Sequence, residues 1–367
     1  MTRPTLPLRW GEHGLPAAPR RVLVVQISAM GDQVQTLPAV SDIAARWPGI
    51  AIDWAVDARF ADIPRLHPAV RRVFALPLKA VQNAPLRPTA WRELLAVFAA
   101  LRAEAYDLVW DPHSVLKSAI VARLARSPLH VGYRAEDCGG EPLAARAFRL
   151  HFARPRGVHG TEGRRVFAQV VLDTDRSRPV DYGIDRRFPF RPDPDRRPAV
   201  LLAHGASKPD KLWPVGHWEQ LAARFAARGL LVLLAWGSEA ELERARRIAQ
   251  ALPEGAAEIL DRRGLVDMLE VIGQCRLVVG VDTGFTHMAA ALRRPVVALF
   301  VSTGPELFTP VDPELARTLG GNGETPGVDA AWAAAVALLG RPEAMRAAPL
   351  ARSAVPPGDD RPAVVTA

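Results

Sequence analysis

Two series of short apolar runs, each alternating with helical patterns, constrain the fold of this chain more than any other feature. The first series starts with VLVVQIS at residue 22, leads into the helical pattern TLPAVSDIAARW, and continues through IAIDWAV, VRRVFAL, YDLVWDP and LHVGY. Continuous apolar runs between helices are typical of parallel strands that are buried on both faces. This series predicts a doubly wound, Rossmann-like α/β domain over residues 21–175.

A second series of the same kind follows a segment dense in Pro, Arg and Asp, which predicts a linker at residues 176–198. The series runs through AVLLAHG, HWEQLAARFAARG, LLVLLAWG, ELERARRIAQAL, LVVGVDTG and PVVALFV, and predicts a second α/β domain over residues 199–344. Two domains suit a length of 367 residues. Open parallel sheets bind ligands beyond the carboxyl ends of their strands, so we expect loops from both sheets to form a ligand cleft.

The two ends of the chain have no periodic apolar pattern. Residues 1–20 predict a flexible arm and residues 345–367 a disordered tail, to which we assign no function. The N-terminus lacks the apolar core of a secretory signal, and no run of about 18 apolar residues is found. The two cysteines lack the spacing of a metal or redox motif. Together these features predict a cytoplasmic protein.

The formal net charge of +8 favours anionic partners, among them phosphates, nucleic acids and acidic lipid headgroups. Only four of the 47 basic residues are lysines, so we attribute much of the arginine excess to base composition and expect no nucleic-acid partner. Several arginines of the first domain either steer the protein to an acidic membrane surface or form an ordinary solvated face: Arg59, Arg65, Arg71, Arg72 and Arg92.

The segment VVGVDTGFTHMAAAL places Asp282, Thr283 and Gly284 between a buried strand and a helix. The first N–H groups of a helix and its partial positive charge favour phosphate, and a glycine allows close approach of a ligand. An ordinary capped turn explains the same residue types, because Asp and Thr are common N-caps. His287 is either a ligand contact or a packed polar residue.

The opening turn QISAMGDQVQTLPA places Gly31 and Asp32 at the equivalent position of the first domain. A carboxylate there is suited to act as a general base on an acceptor hydroxyl. The alternative is that Asp32 is simply the N-cap of the following helix.

The stretch HGASKPDKLWPVGHW contains two of the four lysines, which points to Lys211 as a clamp on phosphate oxygens, although a solvated lysine is the ordinary alternative. One of the glutamates after WGS is placed to accept hydrogen bonds from ribose hydroxyls, whereas most helix glutamates are merely solvated. No G-x-G-x-x-G, Walker A loop or metal-ligand spacing is present.

Together, QISAMGDQVQTLPA, DKLWPVGHW, WGSEAELERA and VDTGFTHMAAAL resemble the ordered motif set of the lipopolysaccharide heptosyltransferases, and heptosyltransferase I in particular. The resemblance covers nearly all of residues 21–300. It implies the GT-B fold, in which two Rossmann-like domains face a central cleft, and inverting, metal-independent transfer with no cofactor. The implied donor is ADP-L-glycero-β-D-manno-heptose, and the implied acceptor is Kdo of Kdo2-lipid A at the inner leaflet.

The resemblance also implies a role for individual residues. Asp32 resembles the general base and Lys211 the lysine that binds phosphate and assists catalysis. The residues that it implies for the donor site are Ser207, Glu241, Asp282, Thr283, Gly284 and His287. Those that it implies for the acceptor site are Gly31, Lys117 and His159.

Two departures from the family pattern keep alternatives open. The chain reads VSTGPELFTP where the family usually reads GPTDP, and Gly140 stands where the family often has an arginine. The first alternative is therefore a related GT-B transferase with another nucleotide sugar or a surface-polysaccharide acceptor. A protein that binds nucleotides or nucleic acids without catalysis is the second, and it leaves Asp32 and Lys211 unexplained.

Overall fold

The computed structural model describes residue 10 and residues 18–206, 208–302, 304–305, 314–340 and 363–365. The chain divides into two compact units, and the boundary falls between Gly183 and Ile184, inside the segment that the sequence predicts as a linker. Each unit is an α/β domain built on a parallel sheet.

Among the described residues up to Gly183 the first unit has six strands, and the first five follow the first apolar series. They are β1 (Arg21–Val25), β2 (Ala51–Asp57), β3 (Val70–Leu76), β4 (Leu108–Trp110), β5 (His130–Tyr133) and β6 (Leu150–Phe152). Their order in the sheet is β3-β2-β1-β4-β5-β6, and every pair is parallel. The change of direction between β1 and β4 is the kind of switch point at which open α/β sheets bind ligands.

The helices of the first unit cover both faces of its sheet. They are α1 (Met30–Arg46), α2 (Asp62–Leu66), α3 (Leu78–Asn83), α4 (Pro88–Ala103), α5 (Leu116–Leu124) and α6 (Gly160–Leu172). Parallel connections are right-handed, so the connections toward β2 and β3 place α1 and α2 on one face, and those toward β4 and β5 place α4 and α5 on the other. Helix α6 packs against α1.

The described part of the second unit has the same architecture, with six strands and five helices. The strands are β7 (Ala199–Ala203), β8 (Leu231–Leu234), β9 (Ala257–Ile259), β10 (Leu277–Val281), β11 (Val296–Phe300) and β12 (Ala316–Gly320), in the order β12-β11-β10-β7-β8-β9. The helices are α7 (Val215–Ala227), α8 (Glu239–Gln250), α9 (Leu265–Gln274), α10 (Gly284–Ala291) and α11 (Val328–Leu339).

The central strands form the core of each unit because their side chains are buried on both faces. In the second unit all five residues of β10 and all five of β11 are buried. Gly280 lies at the closest approach of β10 to β7, where a Cβ atom would collide with Thr286 Oγ1 and lie 2.9 Å from Ala203 Cβ. Thr286 in turn donates a hydrogen bond to the carbonyl of Val281 (2.7 Å), which ties α10 to the end of β10.

A buried ion pair joins α6 to α1 in the first unit. Arg165 Nε donates to Asp42 Oδ2 at 2.6 Å, and both side chains are 3% exposed. Burial raises the pKa of Asp42 despite the neighbouring guanidinium. The pair is completed by the carbonyls of Arg176 and Arg178, so the donors of Arg165 are well satisfied.

The structure describes a few residues of the two chain ends, for which the sequence predicts a flexible arm and a disordered tail. Trp10 packs edge-on against Trp47 and donates a hydrogen bond to the carbonyl of Val171 (3.0 Å), so the arm is anchored at this residue. Residues 363–365 form β13 (Ala363–Val365), which pairs with β3, so the tail is ordered there by backbone hydrogen bonding. The remaining residues of 1–17 and 341–367 lie outside the described part of the chain.

We predict that Gly280→Ala destabilises the protein by about 1–3 kcal/mol, because an added methyl group overpacks the contact between β10, β7 and α10. Thermal unfolding measures the effect. Gly216→Ala is the matched control, because a Cβ atom there meets only Glu219 Oε2 at 3.9 Å and alanine suits the interior of α7 better than glycine. Equal unfolding midpoints for wild type and Gly280→Ala would contradict the packing argument.

Candidate active site

The first group of site residues lies where β1 and β4 end. Asp32 is in the first turn of α1, and its Oδ2 accepts a hydrogen bond from the Ala29 N–H (2.9 Å). Ala29 is the N-cap of α1, so the alternative that Asp32 is itself the N-cap is wrong. The carboxylate is 40% exposed, and its side chain is therefore accessible to a ligand.

Arg164 of α6 holds the other oxygen of the Asp32 carboxylate. Its Nη2 donates to Asp32 Oδ1 at 2.5 Å, and its Nη1 donates to Gln35 Oε1 and to the carbonyl of Gly160, both at 2.8 Å. Three acceptors thus fix the orientation of the guanidinium. Sequence reasoning missed Arg164, because an arginine within GTEGRRVF carries no motif that distinguishes it from its neighbours.

These contacts keep Asp32 ionised. Desolvation by the surrounding protein raises the pKa of its carboxyl, but the charge of Arg164, the Ala29 N–H and His113 together lower it by more, and the net pKa lies below the ordinary value. A carboxylate in this state is ready to accept a proton at neutral pH.

His113 is a second residue that sequence reasoning did not assign, although it lies three residues after the end of β4 and four positions before Lys117. Its Nδ1 accepts a long hydrogen bond from the Ile27 N–H (3.4 Å). Burial lowers the pKa of His113 to about 4, although the charge of Asp32 opposes this shift. The imidazole is therefore neutral at pH 7, and with Nδ1 as acceptor its proton is on Nε2.

Asp111 shapes the turn that presents His113. Its Oδ1 accepts hydrogen bonds from the N–H groups of His113 (3.0 Å) and Ser114 (2.7 Å). Complete burial raises the pKa of Asp111 to about 7 in spite of these donors. Ser114 adopts a φ of 50°, and its hydroxyl bridges the Asp111 carbonyl and the Tyr133 N–H.

The structure brings the residues expected at the acceptor site to this group. Gly31 precedes Asp32 in α1, and Lys117 Nζ contacts Ser28 Oγ in the turn after β1. His159 is buried as the N-cap of α6, where its Nδ1 accepts from the Thr161 N–H (3.0 Å). The cap explains why a histidine is present at 159, and it places this residue beside the turn of α6 that carries Arg164.

The second group of site residues lies in the second unit, at the ends of β7 and β10. Lys211 Nζ contacts Asp282 Oδ2 at 2.5 Å, and His287 Nε2 lies 3.6 Å from Asp282 Oδ1. Burial raises the pKa of the Asp282 carboxyl, but the hydrogen bonds from His287 and Lys211 and their charges lower it well below its usual range. Lys211 is thus not a freely solvated lysine.

Helix α10 begins directly beside this pair. Thr283 is its N-cap, without a side-chain capping bond, and Gly284 is its first residue. The first N–H groups of a helix have no partner within the helix, and they carry its partial positive charge. The start of α10 lies beside the ammonium of Lys211, which is paired with Asp282, and both groups are of the kind that binds a diphosphate.

Glu241 is in the first turn of α8, where its Oε2 accepts from the N–H groups of Gly237 (2.7 Å) and Ser238 (3.1 Å). This capping box explains part of its presence. Its Oε1 approaches Gly205 so closely that a side chain at 205 would collide with it, so Glu241 lies at the carboxyl edge of β7. Ser207, also expected at the donor site, lies outside the described residues.

Two tryptophans fix the loop that carries Lys211. Trp213 and Trp218 are fully buried, with ring centroids 4.9 Å apart in an edge-on contact. Trp213 Nε1 donates to the carbonyl of Pro326 at 2.8 Å. Packing of these two side chains therefore holds the loop that carries Lys211. Within the described residues, no group of three or more His, Cys, Asp or Glu side chains is placed to bind a metal ion.

Comparison with known proteins decides the family. The model of glycosyltransferase family 9 (heptosyltransferase) matches residues 94–331. The chain belongs to this family. Lipopolysaccharide heptosyltransferase 1 of Pseudomonas aeruginosa is 40% identical over 291 residues, which are 78% of this chain and 79% of that protein. This family-9 chain is therefore a glycosyltransferase, as its motifs predict.

Solved structures agree with this result. Escherichia coli heptosyltransferase WaaC with ADP matches with a TM-score of 0.77 and 31% identity, over 85% of this chain and 97% of that one. The same enzyme with ADP-2-deoxy-2-fluoro heptose matches over the same shares, with a TM-score of 0.74 and 31% identity. The predicted GT-B fold of two Rossmann-like domains is confirmed.

We predict that Arg164→Gln shifts the acid limb of the pH profile of kcat/KM upward by about 1–3 pH units. As the expected general base, Asp32 would accept a proton only when ionised, so activity would be lost as pH falls through its pKa. Removal of Arg164 raises that pKa. Arg156→Gln is the control, because Arg156 pairs with Asp137 instead. An unchanged acid limb in Arg164→Gln would show that the ion pair does not set the ionisation of the base.

We predict that Lys211→Met weakens ADP binding by about 10- to 100-fold, because a charge-assisted hydrogen bond to phosphate is lost. Isothermal titration calorimetry measures the affinity. Lys208→Met is the matched control, because Lys208 lies in the same loop but is exposed. A larger loss of affinity in Lys208→Met than in Lys211→Met would overturn the assignment.

Proposed function

We propose that this protein is a lipopolysaccharide heptosyltransferase 1, which transfers L-glycero-D-manno-heptose from ADP-heptose to Kdo of Kdo2-lipid A in inner-core synthesis. The observation that carries the proposal is the Lys211–Asp282 pair at the start of α10, because it provides the cation and the helix N-terminus that a departing nucleoside diphosphate requires. The 40% identical relative from Pseudomonas aeruginosa and the WaaC complexes with ADP and a fluorinated ADP-heptose support the choice of donor and acceptor.

In the proposed reaction Asp32 is the general base. Its ionised carboxylate takes the proton from the attacking Kdo hydroxyl, and the hydroxyl oxygen bonds to the anomeric carbon of the heptose as the bond from that carbon to the β-phosphate oxygen breaks. ADP leaves, and the configuration inverts. The low pKa of Asp32 makes it a moderate base, but it ensures that the carboxylate is ionised before the acceptor binds.

The second unit stabilises the charge of the leaving ADP. Negative charge grows on the diphosphate as the bond breaks, so Lys211 and the N–H groups at the start of α10 bind the transition state more strongly than the intact donor. Asp282 holds the ammonium of Lys211 at 2.5 Å, and this contact orients the lysine. These groups supply the electrostatic role that a metal ion has in other transferases, so the proposed reaction requires none.

The remaining site residues have binding roles in the proposal. Asp282 and His287 contact heptose hydroxyls, Thr283 and Gly284 present the backbone of α10, and Ser207 contacts the phosphates. Glu241 accepts a hydrogen bond from the ribose through Oε1, because Oε2 is engaged by Gly237 and Ser238. In the first unit Gly31, Lys117 and His159 form the acceptor site, where the Lys117 ammonium suits the carboxylates and phosphates of the acceptor.

Because the acceptor is a lipid, we place the protein in the cytoplasm, peripheral to the inner membrane. None of the described helices is both long and apolar enough to span a bilayer. The five arginines considered for steering differ in their surroundings. Arg59, Arg65, Arg71 and Arg72 are ion-paired with Asp57, Asp62, Asp53 and Glu104, so their charges are locally balanced.

The decisive experiment is transfer from ADP-heptose to Kdo2-lipid A by purified protein in the presence of EDTA, followed by mass spectrometry. We predict that the wild type adds one heptose, and that Asp32→Asn reduces the rate by about 10²- to 10⁴-fold because the proton acceptor is lost. Asp62→Asn, a change to an exposed carboxylate of the same unit, is the control and keeps full activity.

The other outcomes separate the alternatives. No transfer with intact ADP binding would retain the donor site and point to a different sugar or acceptor, in line with the departure at VSTGPELFTP. Transfer that stops in EDTA would refute the metal-independent mechanism. Absence of both transfer and ADP binding would refute the proposed function.

A further inference from the structure

The large apolar side chains that remain exposed are concentrated in one part of the first unit. Of the eight such side chains among the described residues, six lie between residues 86 and 143, and a single one, Val266, lies in the second unit. The six come from the loop before α4, from α4, from α5 and from the 3₁₀ turn at residues 142–147. We call them the α4–α5 surface: Leu86, Trp91, Leu95, Leu116, Ile120 and Leu143.

The segments that carry this surface are contiguous. Helix α3 packs against α4, α4 against α5, and α5 against the turn at 142–147. Trp91 Nε1 donates to the carbonyl of Pro85 (2.8 Å), which holds the loop of Leu86 against α4. The Leu116 N–H donates to Glu141 Oε2 (2.5 Å), which holds the turn of Leu143 against α5.

Within each helix the exposed apolar residues lie one turn apart. Trp91 and Leu95 are four residues apart on α4, as are Leu116 and Ile120 on α5, and each pair therefore lies on one face of its helix. A separate face of α4 carries the buried Leu94, Val97 and Leu101. Helix α4 thus has apolar residues that face solvent in addition to those that face the core. Folding of this unit does not require the exposed ones.

Basic residues surround the α4–α5 surface. Exposed cations lie on the same segments at Lys79, Arg87, Arg92, Lys117, Arg123 and Arg146. Of the carboxylates there, Glu141 accepts the Leu116 N–H, and Glu104 is occupied by Arg71 and Arg72. Glu93 and Glu141 are the exposed carboxylates beside them, because a hydrogen bond from a neutral N–H leaves the charge of Glu141 in place. With six exposed cations against these two carboxylates, the charge beside the apolar residues is mainly positive.

We propose that the α4–α5 surface docks on an anionic phospholipid bilayer, with Leu86, Trp91 and Leu95 in the headgroup region and the surrounding cations on lipid phosphates. Apolar residues flanked by Lys and Arg are the pattern of interfacial helices, and Trp is favoured at the boundary between lipid and water. Complementary charge selects the bilayer over a second copy of this basic chain, which would place like charges together.

The position of α5 connects this surface to the acceptor site. Lys117 lies between Leu116 and the rest of α5, and it contacts Ser28 in the turn that leads to Asp32. A bilayer against α5 would therefore hold a lipid-linked acceptor beside Asp32. The inference deepens the proposed function and rests on it for this last step alone, because binding to lipid requires neither donor nor acceptor.

Co-sedimentation with vesicles tests the proposal. We expect the wild type to bind vesicles of equal parts phosphatidylglycerol and phosphatidylcholine, and to bind pure phosphatidylcholine or high-salt samples more weakly. The double variant Trp91→Ser/Leu95→Ser should lose about tenfold or more of its vesicle affinity, because its apolar contact with the bilayer is lost. Val266→Ser, a change to the exposed apolar residue of α9, is the matched control and should bind as the wild type does.

A second variant guards against loss of folding. If Trp91→Ser/Leu95→Ser has a lowered unfolding temperature, Leu116→Ser/Ile120→Ser on α5 replaces it in the same assay. We expect either variant to keep its kcat/KM on a Kdo acceptor that lacks acyl chains and to lose transfer to acceptor embedded in vesicles. This pattern separates a defect in membrane docking from a defect in the catalytic site.

Three results would overturn the proposal. They are absence of vesicle binding by the wild type, equal binding by wild type and both double variants, and a concentration-dependent dimer that the substitutions dissociate. Vesicle binding that depends on the surface, in a protein that fails to transfer heptose, would uphold the surface and refute the proposed function instead.

Discussion

Burial of the central strands on both faces is the constraint on which the rest of this structure depends. Strands β1 and β4 in one unit, and β7 and β10 in the other, bury nearly every side chain, so none of them offers a polar group to a ligand. The chemistry is thereby confined to the turns that follow these strands. Asp32 and His113 follow β1 and β4, and Lys211 and Asp282 follow β7 and β10.

Each unit has a similar carboxylate–cation pair after its central strands. A partly buried carboxylate is kept ionised against the cost of desolvation by a cation at 2.5 Å: Arg164 for Asp32 and Lys211 for Asp282. In the proposed mechanism Arg164 modulates the pKa of the base, whereas Lys211 binds phosphate, and the difference depends on how many acceptors already hold each cation. Arg164 is held by three acceptors, whereas Lys211 has Asp282 as its hydrogen-bond partner among the described residues and has further N–H donors for a ligand.

Sequence reasoning predicted the strands well and the shorter or irregular elements poorly. Long apolar runs such as LVVGV are typical of strands that are buried on both faces of a parallel sheet. The sequence therefore predicted β1, β2, β7, β10 and β11 correctly. It did not predict α6, whose first turn is GTEG, or the strands β9 and β12, because these depend on neighbours that are distant in the sequence. Strand β13 was not predicted for the same reason, because its hydrogen-bond partners come from the distant β3.

The sequence by itself determined the fold class, the family and the positions of Asp32, Lys211, Glu241 and Asp282 at the ends of strands, because hydrophobic periodicity and motif order are local properties of the chain. Only the tertiary structure decided which charges meet. Arg164 lies 132 residues from Asp32, and Lys211 lies 71 residues from Asp282. The same holds for the contiguous α4–α5 surface. Such contacts form only when helices and loops pack against the sheet, so a local sequence pattern does not predict them.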